Sequence, residues 1–292
     1  VNKDMFDEAG IELPYEGWTY AEFRDAVKKL THGEGQDKVY GICWGFNFTK
    51  AAQLDYIGAV LGTNDTFTDD TMKTLNWENP VYVEGFNLIK DVCDEGYAPT
   101  MEDDIADALT VQSTFLEGKC AMFGIFSQLR LAMDTETYPH DFTTALIPFP
   151  IPSEDYAEFY THQANYSGDF MCISASTPYK EAACEFARWY IQGGMTPLIK
   201  AARYPLWLGT DMDAILDYVE QSAGDSVDIE SLKHLFSTDR SSYVKKSYVN
   251  DKGGELATIL HEEWEDFMYG VTPTAEEALK KATDRGNALL AE

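Results

Sequence analysis

Residues 111–128 read VQSTFLEGKCAMFGIFSQ. Val111, Phe115 and Leu116, spaced i, i+4, i+5, predict one buried face of a helix. Gly118 marks its end, because glycine alone takes the left-handed conformation after a helix without a Cβ penalty. Residues 120–126 are almost wholly apolar, which predicts a strand covered on both faces. Ser127 and Gln128 follow at once. Open α/β sheets collect their ligands beyond the carboxyl ends of strands, so these two polar residues are the first candidates for ligand contact.

Outward from this stretch the same alternation of helix and short apolar strand recurs. Thr19 and Glu22 have the spacing of a capping box, with Phe23, Val27 and Leu30 as the buried stripe of the helix behind it. Residues 39–46, VYGICWGF, predict a second buried strand, and 54–61 a short helix. Asn79-Pro80 supplies an N-cap and a proline at the first helical position, with Val83, Phe86, Leu88, Ile89 and Val92 inward. A helix is predicted over 104–117. Residues 142–152, FTTALIPFPIP, predict a strand that leaves the sheet at Pro148, Pro150 and Pro152, since proline cannot donate to a central ladder. Residues 166–176 predict a further strand, followed by a helix from Thr177-Pro178 whose apolar face is Ala182, Ala183, Phe186, Trp189 and Tyr190. Helices are also predicted over 211–220, 229–236 and 256–269. The last helix opens on a second capping-box spacing, Thr274 with Glu277. This order of elements predicts an α/β protein.

The chain has 292 residues, with 22 basic and 50 acidic side chains and a formal net charge of −28. That balance excludes a nucleic-acid binder, which needs a basic surface, and disfavours adhesion to anionic membrane. The apolar share of 45% is ordinary for a globular protein, while the aromatic share of 13% is high. The aromatics are read first as core and second as surfaces that stack on sugar rings. Cys43, Cys93, Cys120, Cys172 and Cys184 form neither a CxxC pair nor a zinc spacing. They read as small apolar residues and assign no compartment. No apolar run reaches the roughly 20 residues of a membrane span. The sequence has no phosphate loop, GxSxG elbow or HExxH pair, so no catalytic residue, metal ligand or cofactor is nominated.

Three landmarks carry a resemblance. The first is Asn2-Lys3-Asp4, Phe6, Glu8-Ala9-Gly10, Pro14 and Trp18-Thr19 before a helix. The second is Phe115, Glu117-Gly118-Lys119 and Ala121-Met122. The third is Lys180-Glu181-Ala182-Ala183, Glu185-Phe186 and Trp189. In this order they resemble the extracellular solute-binding proteins of sugar-type ABC transporters, relatives of maltose-binding protein. The resemblance implies a type II periplasmic-binding-protein-like fold: one complete α/β lobe, residues 1–163 and 209–292, plus a returning segment of the second lobe, 166–208. Hinge crossings fall near 164–169 and 203–209. It also implies that further residues and an export signal precede Val1, so that 166–208 lacks its partner sheet and packs differently or is poorly supported.

The resemblance adds site residues. The loop after the 39–46 strand borders the cleft, giving Trp44, Asn47, Phe48 and Lys50; the alternative is that Trp44 and Phe48 are core and Lys50 solvated. Tyr166 and Asp169 fall at the hinge and cleft, Asp169 either accepting from a ligand or capping a helix. Arg203 and Trp207 fall at the return crossing, where Trp207 either stacks on a ligand or covers the hinge. The implied solute is a sugar or oligosaccharide, with a polyamine second on the acid excess. The implied partner is an ABC transporter permease, and the implied location is the outer face of the cell membrane, lipid-anchored, or the periplasm. The competing reading is an extracellular carbohydrate-active enzyme, a glycoside hydrolase or lyase, which needs two carboxylates at a set separation in a cleft.

Overall fold

Ile42, Cys43 and Trp44 are successive residues that serve two different cores. Ile42 and Trp44 lie in one apolar cluster and Cys43 in another. A strand alternates its side chains across the sheet, so this short extended segment runs between two layers of helices. In a computed structural model of the chain, residues 1–47, 50–61, 66–124, 129–157, 171–205, 207, 209–237 and 250–292 are described.

The helices are α1 (Lys3–Glu8), α2 (Tyr20–Leu30), α3 (Ala52–Ala59), α4 (Pro80–Asp94), α5 (Met101–Ala106), α6 (Leu129–Ala132), α7 (Lys180–Trp189), α8 (Met212–Ala223), α9 (Ile229–Ser237), α10 (Gly253–Met268) and α11 (Ala275–Leu290). The first core gathers Phe6, Phe23 and Val27 with Phe86, Ile89, Trp264, Phe267 and Leu279, joining α1, α2, α4, α10 and α11. The second gathers Phe115, Leu131, Phe142, Ile199, Val219 and Leu232, joining α6, α8 and α9 to residues 111–116. Cys120 belongs to the second core and Ala121 to the first. Burial on both faces is what the apolar run from 120 predicts.

Local signals act as read. Thr19 accepts from the Glu22 N–H, and the Glu22 carboxylate accepts from the Thr19 N–H at 2.7 Å, completing the capping box. Asn79 caps α4, with Pro80 at its first position. Gly118 stands at φ +70°, and its N–H donates to Phe115. Thr274 caps α11 by accepting from Glu277 at 3.2 Å, while the Glu277 carboxylate lies 3.4 Å from Lys281.

The expected strands form only in part. The strands over 39–46 and 120–126 are joined by single parallel bridges, Tyr40 to Cys120 and Cys43 to Phe123, with 125 and 126 outside the described residues. The N–H groups of Gly41 and Ile42 both turn to the Tyr97 carbonyl, at 3.0 and 3.3 Å, which interrupts the ladder between the bridges. The 142–152 strand likewise reduces to bridges at Thr144 and Ile151. Of 166–176, only 171–176 is described, and it has no strand.

The helix expected over 104–117 is split. Ala108 takes φ +50°, and a π-helical turn (Gln112–Leu116) follows. Thr110 and Ser113 bond each other's backbone N–H through their hydroxyls, at 3.0 and 3.1 Å, giving the chain a local alternative to continuous helix.

Helix α7 forms, but its apolar face is uncovered. Phe186 is 56% exposed and Trp189 59%. Met171, Ile173, Tyr179, Ile191, Leu198 and Trp207 are also exposed, which makes the 171–207 region an apolar surface. Among the described residues, none in α7 is buried.

Candidate functional site

The two bridged segments run parallel, so Trp44 and Gly124 stand at the same end of the pair. Gly124 lies beside Trp44: its N–H faces the Cys43 carbonyl at 3.4 Å, and a Cβ there would stand 3.7 Å from the Trp44 carbonyl oxygen. Trp44 and Gly124 are therefore neighbours at the carboxyl ends of parallel segments, and the loop that opens at Gly45 starts where α/β folds place ligands.

Three elements fix this loop. At its start, the buried carboxylate of Asp104 accepts from the N–H groups of Phe46 at 3.1 Å and Asn47 at 3.0 Å, and from that of Gly45. The Asn47 amide group donates to the Leu109 carbonyl at 3.0 Å. At its end, the Trp264 indole donates to the Lys50 carbonyl at 2.8 Å, and Lys50 Nζ lies 2.7 Å from Glu265. From below, Gln53 Nε2 donates to the Trp44 carbonyl at 2.8 Å. Burial pushes the Asp104 carboxyl above the usual carboxylate range, and the amides of Asn47, Phe46 and Gly45 pull against that rise.

Of the residues nominated from sequence, Asn47 is exposed on this loop. Trp44 takes its core reading. It is fully buried, with ring centroids 5.7 Å from Phe23 and 6.3 Å from Phe149, because the alternation of the segment turns it into the first core. The Lys50 side chain is in solvent and paired with Glu265. Phe48, Ser127, Gln128, Tyr166 and Asp169 lie outside the described residues.

Arg203 is exposed, and Trp207 is 41% exposed with its ring folded over Gly209, where a Cβ would meet it at 2.5 Å. The side-chain amide of Asn47 is given to Leu109 and not to Arg203 or Trp207.

Two residues escaped the sequence reading. Tyr56 of α3 and Phe149 of the proline-rich segment are half-buried and stacked, centroids 4.9 Å apart at 16°, with Phe149 against Trp44. The signal available for Phe149 was its place between two prolines that force the chain off the sheet. For Tyr56 there was none, since a tyrosine in a short apolar helix reads as core.

Residues 1–192 match the sequence profile of the family described as bacterial extracellular solute-binding protein. The chain belongs to this family. Its members are binding proteins, and nothing in the match points to the carbohydrate-active enzyme. Among curated proteins there is no match.

Solved structures of similar fold include three solute-binding proteins. One is a sugar transporter protein of Rhizobium etli in an open conformation, with 18% identity, 97% of this chain and 67% of that chain covered, and TM-score 0.68. Another is an ABC substrate-binding protein of Listeria monocytogenes in complex with cycloalternan, with 19% identity, 99% and 68% covered, and TM-score 0.64. A third is the sugar-binding protein MalE of Xanthomonas citri, with 18% identity, 99% and 67% covered, and TM-score 0.60. This solute-binding protein thus spans about two thirds of the length of these neighbours, and its fold is the periplasmic-binding-protein fold they share. Among the described residues, no helix is long and apolar enough to cross a membrane.

Proposed function

We propose that this chain binds a sugar or oligosaccharide outside the cell, unchanged chemically, and hands it to an ABC transporter permease. The observation that carries the reading is the loop that opens at Gly45, where Trp44 and Gly124 end two parallel segments side by side in a chain of a solute-binding family. Asn47 offers an amide to hydroxyls there, and the Tyr56–Phe149 pair offers an aromatic surface to a sugar ring. Ser127, Gln128, Tyr166, Asp169, Arg203 and Trp207 are proposed to complete the site.

The lobe division follows the same reading: residues 1–163 and 209–292 as one lobe and 166–208 as part of the other, with closure about crossings near 164–169 and 203–209. The exposed apolar surface over 171–207 supports it, as a face that a second lobe would cover. Attachment to the outer face of the cell membrane by a lipid anchor, or residence in the periplasm, is proposed from membership of the extracellular solute-binding family. A polyamine is the second solute class, favoured by the net charge of −28.

Calorimetric titration of a panel of mono- and oligosaccharides and polyamines, with product analysis of each mixture, tests this. Saturable binding of a sugar with the ligand recovered intact supports the proposal. Binding of polyamines alone moves it to the second class, and cleavage of any oligosaccharide overturns it.

A further inference from the structure

Asp104 is 1% exposed, and among the described residues no cationic side chain is paired with it. The other titratable groups turned toward it are the thiols of Cys43, from the bridged segment, and Cys93, from α4. The hydrogen bond with Cys120 and burial push the Cys43 thiol well above its ordinary value, and burial pushes that of Cys93 up to about 12. What stabilises the Asp104 carboxylate is therefore backbone. Three consecutive N–H groups, Gly45, Phe46 and Asn47, converge on its two oxygens. Such a run of amides is an anion nest, and Gly45 at φ +73° gives it the left-handed residue that lets successive amides point one way.

The ion comes from this chain, so the nest works in reverse: a fixed anion dictates where the loop lies. Any shift of the loop leaves a buried charge without donors, a far larger penalty than losing an exposed hydrogen bond.

We propose that Asp104 is a positioning residue for solute binding, holding the loop from Gly45 to Asn47 in the geometry that presents Asn47 to the ligand. The inference rests on the solute-binding reading above. Burial raises the Asp104 carboxyl and the three amides pull it back, so the charge is held by the loop's backbone and not by a cation. Asparagine at 104 removes the charge and one acceptor oxygen together. One N–H group of the loop then meets an NH2 group in place of an acceptor, and the loop loses its template.

The test uses Asp104→Asn beside Asp103→Asn, an exposed neighbour on α5 that serves as control. In the wild-type chain, the amide signals of Gly45, Phe46 and Asn47 are followed by nuclear magnetic resonance through an acid titration. They are expected to move together at one midpoint above the usual carboxylate range, a readout that needs no variant to fold. In Asp104→Asn, exchange of these amides is expected to speed at least tenfold, and by more than that of amides elsewhere in the first core. Affinity for the probes maltotriose and cycloalternan is expected to fall at least tenfold. Asp103→Asn changes neither.

Independent titration of the three amides, or unchanged exchange in Asp104→Asn, overturns the loop geometry. Unchanged probe affinity in a variant whose loop has loosened overturns the positioning role. Wild-type protein that binds neither probe and no other sugar brings down the solute reading, while the exchange arm still decides whether Asp104 sets the loop.

Discussion

The rings of Tyr56 and Phe149, 93 positions apart in the chain, lie nearly parallel with centroids 4.9 Å apart. One comes from a helix that follows the proposed ligand loop and the other from the proline-rich exit of an extended segment. Stacked aromatic pairs contribute about 0.5–1.5 kcal/mol beyond their burial. Replacing Phe149 by Ala is therefore expected to weaken sugar binding by a factor of about 2–10, with a smaller effect for Tyr56→Ala. Calorimetry on folded variants measures both, and equal affinity in all three proteins removes this surface from the site.

The far end of the loop is held unequally by its two partners in α10. The Lys50–Glu265 pair is substantially exposed, with side chains 46% and 31% accessible. Glu265→Gln is expected to change stability by at most about 1 kcal/mol. Trp264 is fully buried against Phe86, centroids 4.6 Å apart, and also donates to the Lys50 carbonyl. Trp264→Ala is expected to cost about 3–5 kcal/mol. Urea unfolding separates the two, and a larger loss from the Glu265 variant would reverse the ranking.

The capping box on α2 gives a pH-dependent contribution with a definite sign. Hydrogen bonds from the Thr19 N–H and hydroxyl hold the Glu22 carboxyl below its ordinary value. A depressed carboxylate stabilises above its unfolded value and loses that stabilisation as pH falls through the folded one. Thr19→Ala is expected to cost about 0.5–2 kcal/mol at neutral pH, and the gap from wild type should narrow on acidification. A gap that stays constant from neutral pH to below pH 4 would contradict this assignment.

Gly85 lies where α4 meets α3. A Cβ built there would stand 2.6 Å from both branches of the Ile57 side chain, which is itself 1% exposed. Gly85→Ala is expected to destabilise by about 1–3 kcal/mol through overpacking, despite alanine's better helix propensity. A smaller cost of Gly85→Ala in an Ile57→Ala background, which lacks both branches, would confirm the contact, and a stabilised single variant would refute it.

The apolar face of α7 predicts a different pattern. Phe186 and Trp189 are more than half exposed and touch each other at 5.6 Å. Changing both to Ser is expected to shift the thermal midpoint little, since exposed substitutions stay within about 0.5 kcal/mol. The same change should reduce binding of an apolar dye. A large drop in stability would mean that the face is covered in solution.

The sequence was informative wherever structure depends on neighbours in the chain. The caps at Thr19, Asn79 and Thr274, the helix end at Gly118 and the two-faced burial of the segment from Cys120 follow from local hydrogen bonding and side-chain periodicity. The order of those elements, with the three landmark motifs, led to the solute-binding family. Periodicity was least informative at 104–117, where Thr110 and Ser113 rebuild the backbone hydrogen bonds and break a helix that the apolar spacing alone would continue.

Contacts between distant segments were decided only in three dimensions. Trp44 and Asn47 looked alike as loop aromatic and loop amide; packing buried the first and left the second in solvent. Asp104 was one acid among 50, and it became distinct only when folding brought three amides of a loop more than 50 residues earlier onto its carboxylate. Caps and periodic faces are set by residues within a turn of one another, so the chain order records them. A buried anion and its donors are matched by chain paths that meet after folding, and the energy that selects the match exists only once water has been excluded.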